Sequence, residues 1–372
     1  MIKNLILIII ILFFLICTQK YTVEKFYFYN DKKPKHRRYF NIILKNEKKL
    51  KSKNNAQLII KKAYSDSDFR NENINSVITG NIDIIKFDMK DSLWQILTNK
   101  YGLQKASNII PESRILKNDD YIDFINKNKN CFFILKKNIE DGKGLYISKN
   151  KNELINKFEE SLKTRKPFVV IQKIIMNPLL IDKKTFKIRM FLTITCKNKI
   201  VNFYLSKHGY IAYSKNEWDK NNVNMENIMA SPHWNEEYLK NSKCYKRKLL
   251  SLKNEYKNKP IFIEDFKKYL ELKGINYNKI FNEIKNKSSL IMKSIKMNNR
   301  YTNFIVTGID VIFDDNYNPY ILELNRAPGT TYYNFTKELK KKELKQKVNI
   351  YNDSLSIMFP NKFKNNNLII IL

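Results

Sequence analysis

The stretch FIVTGIDVIFDDNYNPYILELN, residues 304–325, reads as two apolar strands joined by a turn. Asp314-Asp315-Asn316-Tyr317-Asn318-Pro319 has the residues a hairpin turn favours, because Asp and Asn side chains bond their own backbone and Pro presets φ. Pairing Phe313 with Tyr320 brings Asp310 opposite Glu323, and the two-residue strand repeat puts Asn325 on the face of Glu323. Carboxylates this close repel one another and resist desolvation, so the arrangement calls for a cation between them. Oxygen-only ligands suit Mg²⁺, which keeps several waters and takes a few carboxylates together with nucleotide phosphates. The competing reading is a solvated outer face of a surface strand.

A second signal lies upstream in CFFILKKNIEDGKGLYI, residues 131–147. Lys136 ends an apolar strand, and Gly142 and Gly144, two of the chain's 8 glycines, flank Lys143 in the loop before the next strand. Free backbone N–H groups and two nearby cations can cradle phosphates. The spacing is not that of a Walker loop, and a plain hairpin turn is the commoner meaning of such a segment. Gln172-Lys173 follows the strand beginning at Phe168 and precedes a turn at Asn177-Pro178, a hinge that can present backbone groups to a purine. Arg189 sits inside the alternating strand FKIRMFLTITC, residues 186–196, where an inward guanidinium needs an anion or a structural carboxylate.

Helical spacing marks Asp91 to Tyr101, Asn152 to Leu162, residues 261–298 and a basic helix at 336–350. Strands and helices mix without a regular βαβ repeat, which predicts an α+β fold. The 372 residues carry 69 Lys+Arg against 36 Asp+Glu, a formal net charge of +33, with 43% apolar residues. A packed core is affordable at that apolar content, and a wholly disordered chain is excluded. Lys, Asn and Ile share A+T-rich codons, so part of the charge is discounted as a sign of a polyanionic partner. Cys17, Cys131, Cys196 and Cys244 form no C-x-x-C pair, and His36, His208 and His233 are scattered. Neither a zinc knuckle nor a His-based triad is expected.

Leu5 to Cys17 is an unbroken apolar run, shorter than a full membrane span, with no small-x-small cleavage site and a basic stretch from Lys32 to Arg38 beyond it. It predicts a short membrane anchor over residues 1–20 with the downstream chain cytoplasmic, the alternative being a cleaved signal peptide. Residues 21–76 read as a basic stem with an irregular N-terminal piece. The globular parts then run over 77–172 and 173–360, followed by a tail at 361–372.

Taken in order, IPES at 110–113, GKGLYIS at 142–148, VIQKIIMNPLLI at 170–181, FKIR at 186–189, TGIDVIF at 307–313 and LELNRAPG at 322–329 resemble the tubulin-tyrosine-ligase-like proteins, which have the ATP-grasp fold. The resemblance implies ATP sandwiched between two mainly antiparallel sheets. It implies phosphate contact by Lys136, closure of the Gly142-Lys143-Gly144 loop over the phosphates, and an adenine site lined by Gln172 and Lys173. Asp310, Glu323 and Asn325 would hold Mg²⁺ while Arg189 faces the γ-phosphate. Members of the family activate a carboxylate as an acyl phosphate and let the amine of a free amino acid displace phosphate.

Departures fall on the acceptor side. The family's usual Lys and Asp beside Arg189 are Thr185 and Lys187 here, a later basic position falls on Ala212, and its His-x-Thr-Asn segment falls near Ile228 to Ser231. The leading expectation is an ATP-dependent amino-acid ligase acting on an acidic protein tail, with tubulin the candidate acceptor and tyrosination, glutamylation or glycylation the type of reaction. The alternatives are an ATP-binding pseudoenzyme acting as a basic, membrane-tethered binding protein, and, third, a nucleic-acid-binding protein. The third ranks last because the aromatics sit in apolar runs instead of on a basic platform.

Overall fold

In the computed structural model the described residues are 26–30, 37–63, 68–69, 76–80, 83, 85–118, 120–139, 144–230, 259–297, 300–326, 337–364 and 368–371. The strands are β1 (Tyr27–Asn30), β2 (Lys48–Lys49), β3 (Leu58–Ala63), β4 (Val77–Gly80), β5 (Ser113–Ile115), β6 (Phe133–Lys137), β7 (Leu145–Ser148), β8 (Phe168–Lys173), β9 (Leu180–Ile181), β10 (Lys184–Lys197), β11 (Ile200–Tyr213), β12 (Asn303–Phe313), β13 (Pro319–Asn325) and β14 (Leu368–Ile370). The helices are α1 (Arg37–Ile43), α2 (Ile85–Asp88), α3 (Lys90–Ile109), α4 (Asp120–Lys127), α5 (Lys151–Leu162), α6 (Met225–Ile228), α7 (Ile263–Glu271), α8 (Tyr277–Lys293) and α9 (Lys337–Met358). The content is mixed and arranged around two sheets, as an α+β chain requires.

The long strands β10 and β11 form because their sequences alternate. Phe186, Ile188, Met190, Leu192 and Ile194 face one core, packed with residues of α3, α7 and α8. Odd-numbered residues face the other way, where Phe191 joins a second core with α1 and α9. A two-residue loop, Asn198-Lys199, joins the strands with both residues at positive φ (52° and 64°), the twist that a tight hairpin needs. The large sheet runs β14-β11-β10-β12-β4-β3-β1-β2, with β13 on β12 and β9 on β10. A separate antiparallel sheet, β5-β8-β6-β7, buries Phe133, Leu135, Phe168 and Ile171 under α4 and α5.

The chain crosses between the sheets at the Asn177-Pro178 turn. Leu179 N donates to Phe313 O at 3.0 Å and Asp315 N to Asn177 O at 2.8 Å, which clamps the crossover to the end of β12. The hinge expected there from sequence is therefore fixed to the very strand that carries Asp310.

The large sheet is mainly antiparallel, as expected, through the ladders of β10 with β9, β11 and β12, of β11 with β14 and of β12 with β13. It also has a parallel part, in which β1, β2, β3 and β4 pair with one another and β4 pairs with β12. Two expectations change. β1, β2 and β3 occupy the segment read as an irregular stem, and β4 begins just beyond it. Its short pieces Tyr27–Asn30 and Leu58–Ala63 are separated by Lys-rich turns that dilute the apolar signal, yet Leu58, Ile59 and Ile60 are fully buried. In the hairpin, Phe313 pairs with Pro319 and not with Tyr320; the register then shifts between Asp310 and Val311, which restores the pairing of Asp310 with Glu323. The apolar run at residues 5–17 lies outside the described residues, and among those described no helix is long and apolar enough to cross a membrane.

Candidate active site

The second face of β10 and β12 changes from apolar to charged toward one end of the sheet. Phe191 and Val306 belong to the core under α9, whereas Lys187, Arg189 and Asp310 lie beyond them on the same face. Arg189 and Asp310 are direct cross-strand partners. Asp310 is fully buried, and both its oxygens are engaged: Oδ1 accepts from Arg189 Nε, while Oδ2 accepts from Arg189 Nη2 at 2.8 Å and Lys187 Nζ at 2.7 Å. Burial alone would raise its pKa; the charges of Arg189 and then Lys187, with their hydrogen bonds, more than reverse this and hold the carboxyl far below the usual range. The same pairing outweighs the burial penalty on Arg189 and raises it further. Tyr210, opposite Arg189 on β11, is buried, and burial pushes its phenol well up.

Glu323 is the more open carboxylate, its side chain 31% exposed. Its Oε1 accepts from Asn325 Nδ2 at 3.3 Å, and its Oε2 lies 3.8 Å from Lys90 Nζ. Lys90 begins α3 and also joins the two sheets: its backbone N–H donates to Asn138 Oδ1 at 2.9 Å and its ammonium to Ile139 O at 3.3 Å, just past β6. Nothing in the sequence pattern singled it out, since its importance comes from contacts made far along the chain.

Lys136 approaches from the small sheet. Its ammonium donates to Gln172 Oε1, and the Gln172 amide is held in turn by Pro111 O at 3.1 Å and Ser113 Oγ at 2.9 Å. Burial pushes Lys136 down to about 8; Glu323 works against that and Lys90 and Lys187 with it. Those couplings place Lys136 in the field of the large-sheet residues, so the two sheets share one electrostatic site.

Asp310, Glu323, Asn325, Arg189, Lys136 and Gln172 are thus brought together. Lys173 is not: it follows Gln172 on β8 and its ammonium donates to Asn128 Oδ1 at 3.0 Å, at the end of α4, because alternation turns it away. Gly142 and Lys143 lie outside the described residues. Gly144 has φ +73°, and a Cβ there would press on the Lys137 side chain at 2.9 Å, so glycine suits this end of the loop. On the acceptor side, Thr185 Oγ1 donates to Asn227 O at 2.7 Å and Ala212 is the buried cross-strand partner of Lys187.

Gly209 supports the site from below. A Cβ at this position would collide with the carbonyl oxygen of Arg189 and the side chain of Ile263. Gly209→Ala is expected to lower stability by about 1–3 kcal/mol through overpacking of the strand that carries Arg189. A melting temperature unchanged from wild type would show that β11 can move aside without strain.

The model of the tubulin-tyrosine ligase family matches residues 78–367, most of the described site included. The chain belongs to the tubulin-tyrosine ligase family. Among relatives, tubulin glycylase 3B of Drosophila melanogaster is 28% identical over 164 residues, 43% of this chain and 21% of that protein. A probable alpha-tubulin polyglutamylase Ttll1 of Tetrahymena thermophila is 24% identical over 247 residues, 62% and 56% of the two chains. The human inactive polyglycylase TTLL10 is 24% identical over 212 residues, 50% and 29%. The chain therefore spans between about a fifth and just over half the length of these relatives. Family membership agrees with the resemblance read from the motif order.

Proposed function

We propose that this family member is an ATP-dependent carboxylate–amine ligase that joins an amino acid to an acidic protein tail, with tubulin as the substrate the relatives' names point to. The observation that carries the reading is the gathering of Lys90, Lys136, Lys187 and Arg189 around Asp310 and Glu323, the carboxylates they meet among the described residues where the two sheets come together. Such a surplus of positive charge in a partly desolvated place suits a triphosphate. In this reading ATP lies between the sheets in the manner of an ATP-grasp enzyme, with Lys136 and Arg189 on its phosphates.

The two carboxylates differ in how they suit Mg²⁺. Glu323, with an exposed edge and Asn325 beside it, suits one divalent ion arriving with a nucleotide. Asp310 does not fit in the same way, because three cationic donors already cover its two oxygens. Among the described residues no group of three or more His, Cys, Asp or Glu could hold a metal. A bound Mg²⁺ would neutralise phosphate charge; this chain's own part is to position the phosphates, exclude water and stabilise charge as it moves off the γ-phosphate. No side-chain nucleophile is needed for an amine to displace phosphate from an activated carboxylate.

A second reading, an ATP-binding protein without ligase activity, is favoured by one feature. The acceptor face offers Thr185, already bonded to Asn227 O, a cation at Lys187 and a buried Ala212. The test is to incubate purified chain with ATP, Mg²⁺, tubulin and isotopically labelled Gly, Glu and Tyr, and read added mass on the tubulin tails. Ligation is expected, and Glu323→Gln should lower it by about two to three orders of magnitude. Nucleotide binding without any ligation would move the assignment to the second reading.

A further inference from the structure

We infer that Lys187 is a tethered cation that takes the place of a divalent metal at Asp310, so that nucleotide is held here with at most one metal ion, on Glu323. The inference rests on the nucleotide-binding reading above and concerns how that site is charged. Asp310 and Glu323 face each other across the hairpin, yet their surroundings differ sharply. The Asp310 side chain is 1% exposed and both of its oxygens carry cationic donors, Lys187 Nζ at 2.7 Å among them. Among the described residues Glu323 has long contacts, 3.3 Å to Asn325 and 3.8 Å to Lys90.

A metal ion approaching Asp310 would have to displace a lysine or an arginine from an enclosed carboxylate, and would then lie beside the cation it had displaced. Both outcomes are unfavourable, because like charges in a desolvated place interact strongly. Lys187 shares Asp310 with Arg189. Its cross-strand neighbour Ala212 brings no charge, and Thr185 on the same face is turned to a backbone carbonyl. The ammonium is also a compact point charge with three donors, so after bonding Asp310 it still has protons to direct toward a phosphate oxygen. A cation built into the chain differs from Mg²⁺ in one measurable respect: a chelator does not remove it.

The test counts ions and nucleotide separately. With a non-hydrolysable ATP analogue, Mn²⁺ titration followed by electron paramagnetic resonance is expected to find one ion per wild-type chain. Calorimetry in EDTA should find analogue affinity within about tenfold of that in Mg²⁺. Lys187→Asp should bind a second Mn²⁺ and lose analogue affinity in EDTA by more than a hundredfold. Lys187→Met, which keeps the stem and drops the charge, covers the case in which the aspartate variant does not fold, and should weaken chelator-resistant binding at least tenfold. Two Mn²⁺ ions on wild type, or analogue binding that vanishes in EDTA, would overturn the tethered-cation assignment while leaving the nucleotide site standing. A folded wild-type chain that binds no analogue with or without metal would remove both.

Discussion

Asp310→Asn is expected to lower the free energy of unfolding by about 3–5 kcal/mol, the usual penalty for removing one partner from a buried ion cluster. The substitution leaves Arg189 and Lys187 facing a neutral amide. Lys187 retains 21% side-chain exposure and can turn toward water; Arg189, at 11%, has less room, and most of the penalty falls on it. Replacing all three together, Asp310→Leu with Lys187→Met and Arg189→Met, should recover most of the loss, since no charge is then left to desolvate. Urea unfolding at constant m-value reads both effects. A loss below about 1 kcal/mol for Asp310→Asn would mean that the cluster is effectively solvated. The pH dependence has a definite sign. The folded carboxyl is depressed below its ordinary value of 3.8, so its stabilisation is present above that pH and fades as pH falls below it, where the unfolded chain binds the proton first.

Lys136→Met should separate stability from function. Burial has pushed this ammonium from 10.5 down to about 8, a desolvation cost on the order of 3 kcal/mol at most. Methionine removes that cost but leaves Gln172 Oε1 without its donor, which returns about 1–3 kcal/mol. The two nearly offset, and the variant should melt close to wild type. Nucleotide affinity, in contrast, should fall ten- to a hundredfold, because a charge-assisted phosphate contact is worth about 1.5–3 kcal/mol. Unchanged affinity would make Lys136 a strand-end residue with no ligand. In wild type, folding should become more favourable as pH rises from about 8 to 10.5, since over that window the unfolded chain holds protons that native Lys136 has released. Lys347, pushed down to about 8 by burial despite its pairing with Glu343, acts in the same direction. The methionine variant should therefore reduce this slope without removing it.

What could be read from the residues followed from how local each signal was. The hairpin at 304–325 was legible because turn residues and alternation sit next to each other in the chain. Even so, its loop end is out of step by one residue, since a bulge in the ladder leaves no mark in hydrophobic periodicity. The short parallel strands before residue 80 escaped notice because four apolar residues between Lys-rich turns resemble a linker until partners from elsewhere bury them. Lys90 and the capture of Asp310 by Lys187 depend on contacts between residues 233 and 123 positions apart, which spacing within a motif does not encode. For the same reason Lys187, expected from its face to meet an incoming acceptor, is found on Asp310.

The position of β12 also bears on how the chain is made. This strand lies between β10 and β4 in the large sheet, yet it is written after both, beginning at residue 303 of 372. On a ribosome, β4 and β10 emerge with one edge each lacking its final neighbour, and they wait for more than a hundred further residues after β10 ends. Open strand edges on a nascent chain recruit other chains, and ordering them late makes folding slow. The strand that brings Asp310 to the site is thus also the one that joins β10 to the parallel strands, so the charged site and that junction of the sheet come into being together.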